Sequence, residues 1–351
     1  MTLSASTAAL FSVGALSTLP AVAYEGQPTN WQMGMQAPVT KVAREIHAFY
    51  DLTNIIIIAI ALFVLALMVY VVLRFNERAN PTPSKTTHNA VLELVWTAVP
   101  ALILLVIAIP SFKLLYMQYD FPKADVVVKA TGHQWYWAHS YPQEDGVNFE
   151  TRPVTDEDVL RAELGREKFE EQFGKLQGLA KIKAMYNAAK PLWTKQGKVR
   201  LLSVDNEVVV PVNKNVIVEI TAGDVIHNWT IPSFGSKMDA VPGRLARTWF
   251  NAEKKGVFYG QCSELCGKDH SAMPIAVRVV DQEVYASWIK LKKDAAAAGK
   301  ARDRKKQREL DQKARELIQA AAKRDAKERQ LARARSQAPG DATAAAPTAT
   351  R

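Results

Sequence analysis

Two long apolar segments mark the N-terminal third of the chain. Residues 52–73 form a run of 22 residues without a charge, and residues 94–112 form a second run of 19. A helix needs about 20 predominantly apolar residues to cross a bilayer, so both runs are predicted to be membrane spans. The connection between them carries Arg74, Arg78 and Lys85, and the positive-inside rule therefore places it in the cytoplasm. Both ends of the chain would then face the outside.

The first residues have the pattern of a secretory signal. An apolar stretch over residues 8–19 is followed by Ala-Val-Ala at residues 21–23, and small residues in this arrangement suit signal-peptidase cleavage. We therefore predict a signal peptide over residues 1–23, with an uncleaved arm outside the membrane as the alternative. Residues 24–51 would lead from there into a transmembrane α-helical hairpin over residues 52–117.

Beyond the hairpin, short runs of hydrophobic residues, some of them alternating with polar ones, are separated by turn residues. The runs are residues 126–128, 134–137, 200–204, 208–210, 216–220, 257–259 and 275–280. Alternation of this kind is typical of strands, and several short strands in succession indicate a sandwich or barrel. The pattern predicts an all-β domain over residues 118–289.

Residues 151–198 interrupt this alternation with a helical pattern. Thr155 and Asp158 are spaced as a capping box, and the apolar residues after them recur at helical spacing. These apolar residues are Val159, Phe169, Phe173, Leu176 and Leu179. The pattern predicts an insertion of one or two amphipathic helices, whose apolar stripe needs a partner surface on the β-domain or on another subunit.

The net charge of +10 is concentrated at the C-terminus. Residues 290–351 hold 18 Lys and Arg against 8 Asp and Glu, and the two signs balance over the rest of the chain. The charge therefore belongs to a tail, and no nucleic-acid partner is expected. Scattered Leu and Ile residues predict a solvated single helix or a disordered low-complexity extension that buries little apolar surface. Such a tail would be inert or would touch anionic lipid headgroups or neighbouring complexes.

One loop in the C-terminal third carries the candidate chemistry. Cys262, Cys266, His270 and Met273 lie within twelve residues, and the two cysteines are the only ones in the chain. Thiolate, imidazole and thioether are soft or borderline ligands, which favour copper over calcium, magnesium or manganese. The loop is therefore predicted to bind copper, with a simple disulfide as the alternative outside the cytoplasm.

Two thiolates exceed what one copper needs. A blue-copper site uses one thiolate, two histidines and a weak methionine, so Cys262 and Cys266 together suggest a pair of coppers, each with one terminal histidine. His270 would supply one of these. Among the six histidines of the chain, His227 is the best candidate for the other because it lies on an alternating segment, residues 224–230, of the same region.

Three segments closely resemble subunit II of the haem-copper cytochrome c oxidases. They are residues 224–229, 237–244 and 259–267. The resemblance implies a cupredoxin-like Greek-key domain that carries a dinuclear copper centre, CuA. In the arrangement of that family, Cys262 and Cys266 bridge the coppers, His227 and His270 are terminal ligands, and Met273 and the Glu264 carbonyl are weak ligands.

The resemblance also implies roles outside the copper ligands. Trp135 would be the point where the electron enters from cytochrome c, although composition alone favours core packing for its aromatic cluster. Glu93 would stand at the mouth of a proton path into the partner subunit, with an ordinary interfacial carboxylate as the alternative. The Glu264 side chain would join a magnesium or manganese site shared with subunit I, unless it is a solvated loop carboxylate. The residues expected to attract a basic cytochrome c are Glu144, Asp145, Glu150 and Asp224.

Together these features predict a two-span subunit II of a bacterial cytochrome c oxidase. Its copper domain would lie on the periplasmic side of the inner membrane, and its partners would be subunits I and III, cytochrome c and the lipid bilayer. It would pass electrons to subunit I, where oxygen reduction is coupled to proton pumping. The alternative is a membrane-anchored copper delivery protein, which would have no use for Trp135 or Glu93.

Overall fold

The computed structural model describes residues 26–82 and 84–337, with side chains up to residue 331. The predicted signal peptide over residues 1–23 and the last residues of the tail lie outside the described residues.

Two long helices, α1 (Lys41–Arg74) and α2 (Ala90–Tyr119), form the predicted hairpin. The side chains of Thr40 and Asn89 accept hydrogen bonds from the first backbone N–H groups of these helices, as polar residues do at helix N-termini. The most apolar stretch of each helix is not buried by any other part of the chain that the structure describes. The 34 residues of α1 rise about 50 Å, which exceeds the ~30 Å of a hydrocarbon core. One end of α1 therefore extends beyond the membrane.

The N-terminal end of α1 and the C-terminal end of α2 anchor the β-domain. Val42 in the first turn of α1 is buried, and Arg44 forms a double hydrogen-bonded ion pair with Glu253 at 2.7 Å. At the end of α2, the Gln118 carbonyl accepts from the indole N–H of Trp249 at 3.1 Å. The β-domain therefore sits directly on the end of the hairpin opposite the connection between α1 and α2.

Ten strands build the β-domain. Their bounds are β1 (Val126–His133), β2 (Tyr136–Ser140), β3 (Asn148–Thr151), β4 (Val208–Pro211), β5 (Asn215–Ala222), β6 (His227–Ile231), β7 (Ser236–Ala240), β8 (Ala246–Asn251), β9 (Gly256–Gln261) and β10 (Pro274–Val280). One sheet has the order β3-β2-β1-β5-β8 with β1 and β5 parallel, and a three-stranded sheet β4-β10-β9 and the pair β6-β7 complete the sandwich. Large aromatic residues such as Trp137, Trp229 and Phe258 fill the core between them. The predicted cupredoxin-like fold is confirmed.

One predicted strand was wrong. Residues 200–204 form turns, with a single isolated bridge at Val204. Leu201 has a φ of 66°, which is left-handed and incompatible with an extended strand, and the Ser203 N–H donates back to the Val199 carbonyl at 2.9 Å. Leu202 is nevertheless buried, because the chain packs it against Tyr259 and Ala276 as it turns out of the insertion, without pairing in a sheet.

The insertion folds into three helices with a core of their own. They are α3 (Asp156–Leu164), α4 (Arg166–Phe173) and α5 (Gly178–Lys195). The predicted capping box of Thr155 and Asp158 begins α3. The shared core consists of Val159, Leu160, Phe169, Phe173, Ala189 and Trp193. The expected partner surface on the β-domain or another subunit was therefore wrong, since the helices bury their apolar faces against one another and only Leu179 of the stripe is left exposed.

The C-terminal region forms a helical hairpin instead of a single solvated helix. Its helices, α6 (Gln282–Lys300) and α7 (Arg304–Gln337), pack against each other. Ala314, Ile318 and Ala321 of α7 are buried and lie at i, i+4 and i+7 on one helix face. The expectation that this region buries little apolar surface was wrong. The expectation counted large apolar residues, which are few here. The small alanines nevertheless let the two helices approach closely and form a packed interface.

Candidate metal centre

The ladder between β9 and β10 holds the cysteine loop at both ends. Gln261 and Pro274 lie opposite each other at the end of this ladder, and the Cys262 N–H donates to the Met273 carbonyl at 3.0 Å. Met273 is fully buried, and Cys262 and Cys266 are nearly so. The loop therefore turns its sulfur ligands inward, toward the core of the sandwich.

His227, at the start of β6, joins the two cysteines from outside the loop. The ligand atoms of His227, Cys262 and Cys266 all lie within 4.8 Å of one another, and all three residues are buried. The two sulfurs are 3.8 Å apart, and both cysteines are free thiols. The structure thus brings the predicted ligands together without forming the disulfide that was the alternative.

Each sulfur faces one imidazole. The Nδ1 atom of His227 lies 3.9 Å from the Sγ of Cys262, and the Nδ1 atom of His270 lies 3.5 Å from the Sγ of Cys266. The Glu264 carbonyl oxygen is 3.3 Å from the Cys262 sulfur. Thiolate and imidazole suit copper and zinc alike, so this donor set identifies a site for soft or borderline metal ions and fits the proposed pair of coppers.

The surroundings of the two thiols differ. Burial raises the pKa of each, but at Cys262 hydrogen bonding to His227 and to nearby backbone groups outweighs burial and lowers the pKa to about 6. At Cys266 the negative charge of Cys262 adds to burial and raises the pKa to about 12. Cys262 therefore offers the thiolate that metals bind, and the proton of Cys266 would leave when a metal binds.

Asp224 orients His227. Its Oδ1 accepts a hydrogen bond from the Nε2–H of His227 at 2.8 Å, which leaves the Nδ1 lone pair directed toward Cys262. The same carboxylate accepts from the backbone N–H groups of Gln134 and Val225, each at 2.6 Å. Burial raises the pKa of Asp224, but these hydrogen bonds outweigh it and lower the pKa overall. A residue predicted to attract a partner protein thus also supports a metal ligand.

The turn between β1 and β2 packs against the cysteine loop. The indole N–H of Trp135 donates to the Cys266 carbonyl at 3.2 Å, and the side-chain amide of Gln134 donates to the same oxygen at 2.9 Å. Gly267 has a φ of 118°, and a Cβ there would lie 3.1 Å from Gln134 Nε2 and from a ring carbon of Trp135, so only glycine permits this approach. Sequence reasoning found Trp135 but missed Gln134, because a polar residue in a turn has no pattern of its own.

The other acidic residues lie near the connection between β2 and β3. Glu144 forms an ion pair with Lys293 at 2.9 Å, and Glu150 forms one with Arg152 at 2.7 Å. Asp145 is exposed in the turn and makes no direct ion pair with any residue that the structure describes. Of these three acids, Asp145 is the one whose charge is free of a bonded cation.

Two further carboxylates lie apart from the sulfur ligands. Glu93 is in the first turn of α2, where its side chain accepts from the Asn89 N–H at 3.2 Å, while the Asn89 side chain accepts from the Leu92 N–H at 3.1 Å. The Glu264 side chain is exposed and bonds to no residue within the described ranges, although its carbonyl faces Cys262. The structure gives Glu93 a local helix-capping contact and leaves the Glu264 carboxylate available to a partner.

Two family descriptions match the chain. "Cytochrome C oxidase subunit II, periplasmic domain" matches residues 126–173 and 182–280, and "Cytochrome C oxidase subunit II, transmembrane domain" matches residues 28–114. The matches include both the helical hairpin and the β-domain with its metal loop, and they end before the α6–α7 hairpin.

Individual proteins agree with the family matches. The chain is 40% identical over 276 residues to a probable cytochrome c oxidase subunit 2 of Rickettsia bellii (strain RML369-C). This alignment covers 79% of this chain and 90% of the relative. It is 42% identical over 278 residues to the cytochrome c oxidase subunit 2 of Cereibacter sphaeroides, covering 75% of this chain and 81% of that one. A crystal structure of the periplasmic domain of subunit II of cytochrome oxidase of Bradyrhizobium japonicum is 44% identical, covers 49% of this chain and 96% of that chain, and aligns with a TM-score of 0.37. Because the family matches span most of the chain and include the cysteine loop and His227, this protein belongs to the cytochrome c oxidase subunit II family.

Proposed function

We propose that this chain receives electrons from cytochrome c at a dinuclear copper centre and passes them to the haem-bearing subunit I, where oxygen is reduced and protons are pumped. The observation that carries the proposal is the pairing of each buried cysteine sulfur with one histidine Nδ1, at 3.9 Å for Cys262 and 3.5 Å for Cys266. Because the two sulfurs lie 3.8 Å apart, both pairs can share a metal cluster. This arrangement fits two coppers bridged by both thiolates.

The protein supplies the ligands and a rigid, dry surrounding. The residues that would hold the coppers are Cys262, Cys266, His227, His270, Met273 and the carbonyl of Glu264. When bound, the copper pair supplies a one-electron carrier. His227 and Met273 have no exposed surface, and both lie where packed strands begin. Such a shell excludes water and limits ligand movement when the charge changes, which keeps the reorganisation small and the transfer fast.

Trp135 is proposed as the residue through which the electron arrives. Its indole is partly exposed, and its N–H donates to the Cys266 carbonyl at 3.2 Å. One hydrogen bond and the covalent bonds of a single residue therefore connect the indole to a bridging sulfur. This contact favours an electron relay over copper delivery. A delivery protein needs a route by which the metal ion can leave, and an indole bonded to the Cys266 carbonyl does not provide one.

A negatively charged surface is proposed to attract a basic cytochrome c. The candidates are Glu144, Asp145, Glu150 and Asp224. Long-range attraction of this kind raises the association rate and weakens with salt. We expect Asp145 to contribute most, since Glu144 and Glu150 are neutralised by direct ion pairs and Asp224 is engaged with His227.

The hairpin is proposed to lie in the bacterial inner membrane with the β-domain in the periplasm. Arg74 and Arg78 in the connection between the helices favour a cytoplasmic location for that connection. The unburied apolar faces of α1 and α2 would pack against lipid and against subunits I and III. At the cytoplasmic start of α2, Glu93 would stand at the mouth of a proton path into subunit I. On the opposite side, the exposed carboxylate of Glu264 would ligate a magnesium or manganese ion shared with subunit I.

Copper loading of the full-length chain in detergent tests the proposal. The loaded protein should be purple, should give an electron-spin resonance signal shared over two equivalent coppers, and should be reduced rapidly by ferrocytochrome c. The Cys262→Ser variant is the control, since it keeps the fold but removes one bridge. A signal from one copper in the unmodified chain would reject the dinuclear centre, and a dinuclear centre that cytochrome c does not reduce would favour copper delivery.

A further inference from the structure

We infer that Gln134 and Asp224 are positioning residues that join the three segments of the copper centre before the metal arrives. The segments are the β1–β2 turn, the start of β6 with His227, and the loop over residues 262–273. The inference rests on the proposed copper relay. In this inference Gln134 has a structural role, and Asp224 has a structural role in addition to its proposed attraction of cytochrome c.

Asp224 connects the first two segments through its two carboxylate oxygens. Oδ1 accepts from the Nε2–H of His227 at 2.8 Å, and Oδ2 accepts from the backbone N–H of Gln134 at 2.6 Å. Hydrogen bonds to a carboxylate are roughly twice as strong as bonds between neutral groups. The orientation of the imidazole and the position of the turn are therefore set by the same side chain.

Gln134 carries the connection on to the cysteine loop. While its backbone N–H is held by Asp224, its side-chain amide donates to the carbonyl of Cys266 at 2.9 Å. Trp135 donates to the same oxygen at 3.2 Å. One turn thus supplies both side-chain donors to the carbonyl of a bridging cysteine, and through Asp224 it is bonded to the histidine segment as well.

The part of the loop around Cys266 needs this support because the backbone hydrogen bonds of the loop lie on either side of it. On one side the Cys262 N–H donates to the Met273 carbonyl at 3.0 Å and the Ser263 N–H donates to the Asn228 carbonyl of β6 at 3.3 Å. On the other side the His270 N–H donates to the Gly267 carbonyl at 3.3 Å and the Ala272 N–H donates to the Asp269 carbonyl at 2.9 Å, while Leu265 at the tip is 78% exposed. Ordering a loop costs conformational entropy, and a site that is ordered in advance binds its ligand more tightly. Bonds from Gln134 would order the loop around Cys266 without metal and would keep the Trp135 indole against it.

The test compares two glutamine-to-methionine substitutions in the full-length chain in detergent. Gln134→Met removes the amide donor while keeping the side-chain length and the backbone N–H that Asp224 binds. Gln261→Met is the matched control, because Gln261 precedes Cys262 and its amide lies 3.5 Å from the Leu201 carbonyl, outside the loop. The measurements are amide hydrogen exchange over residues 265–270 without copper and the rate at which a chelator removes copper from the loaded protein.

Gln134→Met should accelerate both exchange and copper release by about fivefold, the effect of losing one net hydrogen bond, while the dinuclear spectrum is retained. Gln261→Met should match the unmodified chain. Asp224→Asn, which cannot accept at both positions, should lower copper affinity by about tenfold, as changes beside a ligating histidine do. It should also accelerate amide exchange at Gln134.

The outcomes separate this inference from the function on which it rests. If the unmodified chain shows the dinuclear spectrum but Gln134→Met exchanges amide hydrogens and releases copper at the unmodified rates, the positioning role of Gln134 is wrong. If the unmodified chain lacks that spectrum, the copper relay itself fails. Should Gln134→Met not fold, Gln134→Asn keeps the amide but is one methylene too short to reach Cys266. Unmodified exchange in that variant would equally overturn the inference.

Discussion

The imidazole of His227 lies edge-on against the buried indole of Trp137, with ring centroids 5.9 Å apart and an interplanar angle of 61°. The same imidazole rests on strand β1 at Gly132, where a Cβ would come within 2.7 Å of its Cδ2. The ring is thus packed by two residues of one hairpin and hydrogen-bonded by Asp224. Its position depends on packing as much as on any metal.

We predict that Gly132→Ala displaces His227 and lowers copper occupancy. Overpacking of a filled site costs about 1–3 kcal/mol, and here the ring can relieve it only by leaving its position. Copper content per chain and the dinuclear spin signal measure the effect. Gly34→Ala is the control, because a Cβ at Gly34 meets nothing within 4 Å. Full occupancy with an unchanged signal in Gly132→Ala would contradict this packing argument.

Substitutions of the proposed copper ligands should differ in how strongly they impair the copper centre. If each sulfur bridges both coppers, Cys262→Ser or Cys266→Ser should collapse the pair and abolish oxidation of cytochrome c. Met273→Leu removes only a weak ligand from a fully buried site, and it should shift the potential and slow transfer while two coppers stay bound. Spin resonance and redox titration of the assembled oxidase distinguish the cases. A dinuclear signal in Cys262→Ser would refute the bridging assignment.

Electron arrival and docking should respond to different substitutions. Trp135→Phe removes the N–H that donates to the Cys266 carbonyl, so it should slow electron transfer strongly while leaving the affinity for cytochrome c and its salt dependence nearly intact. Asp145→Asn should weaken affinity, mainly at low salt, without changing the transfer rate in the bound complex. Stopped-flow kinetics over a range of ionic strength separates the two. Equal losses of affinity in both variants would make Trp135 a docking residue only.

Glu264 should affect a second metal but not copper. In Glu264→Ala the backbone carbonyl beside Cys262 survives, so copper should stay, whereas the exposed carboxylate that a hard ion needs is gone. The measurement is manganese content and its spin signal in the assembled oxidase grown with manganese, together with turnover. Ser263→Ala serves as a control, because Ser263 is another exposed residue of the same loop. Retention of manganese with normal turnover would rule out this role.

His139 should make stability depend on pH. Its Nδ1–H donates to the Thr151 hydroxyl at 2.8 Å, since that hydroxyl donates in turn to the Asn206 carbonyl, and burial lowers its pKa to about 3. The folded state therefore binds no proton where an unfolded histidine does, below pH ~6.5, and stability is lost as pH falls from there toward 3.

At pH 5 the expected loss relative to neutral pH is about 2 kcal/mol. His139→Phe keeps an aromatic ring beside Phe149 but cannot titrate, so it should flatten this part of the pH dependence. Thermal unfolding of the β-domain, followed by tryptophan fluorescence at pH 7 and pH 5, measures the difference. His88→Gln, an exposed histidine in the connection between the helices, should keep the slope of the unmodified chain. An unchanged slope in His139→Phe would show that other groups dominate.

The membrane hairpin, the β-rich character of the domain and the candidate ligands of the loop could all be predicted from the sequence. Each of these depends on short-range information. A span is recognised by the length of an uncharged run, a strand by alternation over a few residues, and the loop by Cys262, Cys266, His270 and Met273 at fixed spacing. The strand assigned to residues 200–204 failed because alternation also arises where Leu201 turns the chain back.

The surroundings of the candidate ligands and the packing of the helical segments became visible only in the folded chain. Gln134 lies 90 residues from Asp224 and 132 from Cys266, and no local pattern reports contacts over such separations. The insertion and the C-terminal hairpin were misjudged for a related reason: residues such as Ala314 and Ala321 become core only when another helix approaches. Periodicity shows which face of an element is apolar, but the path of the whole chain determines what covers that face.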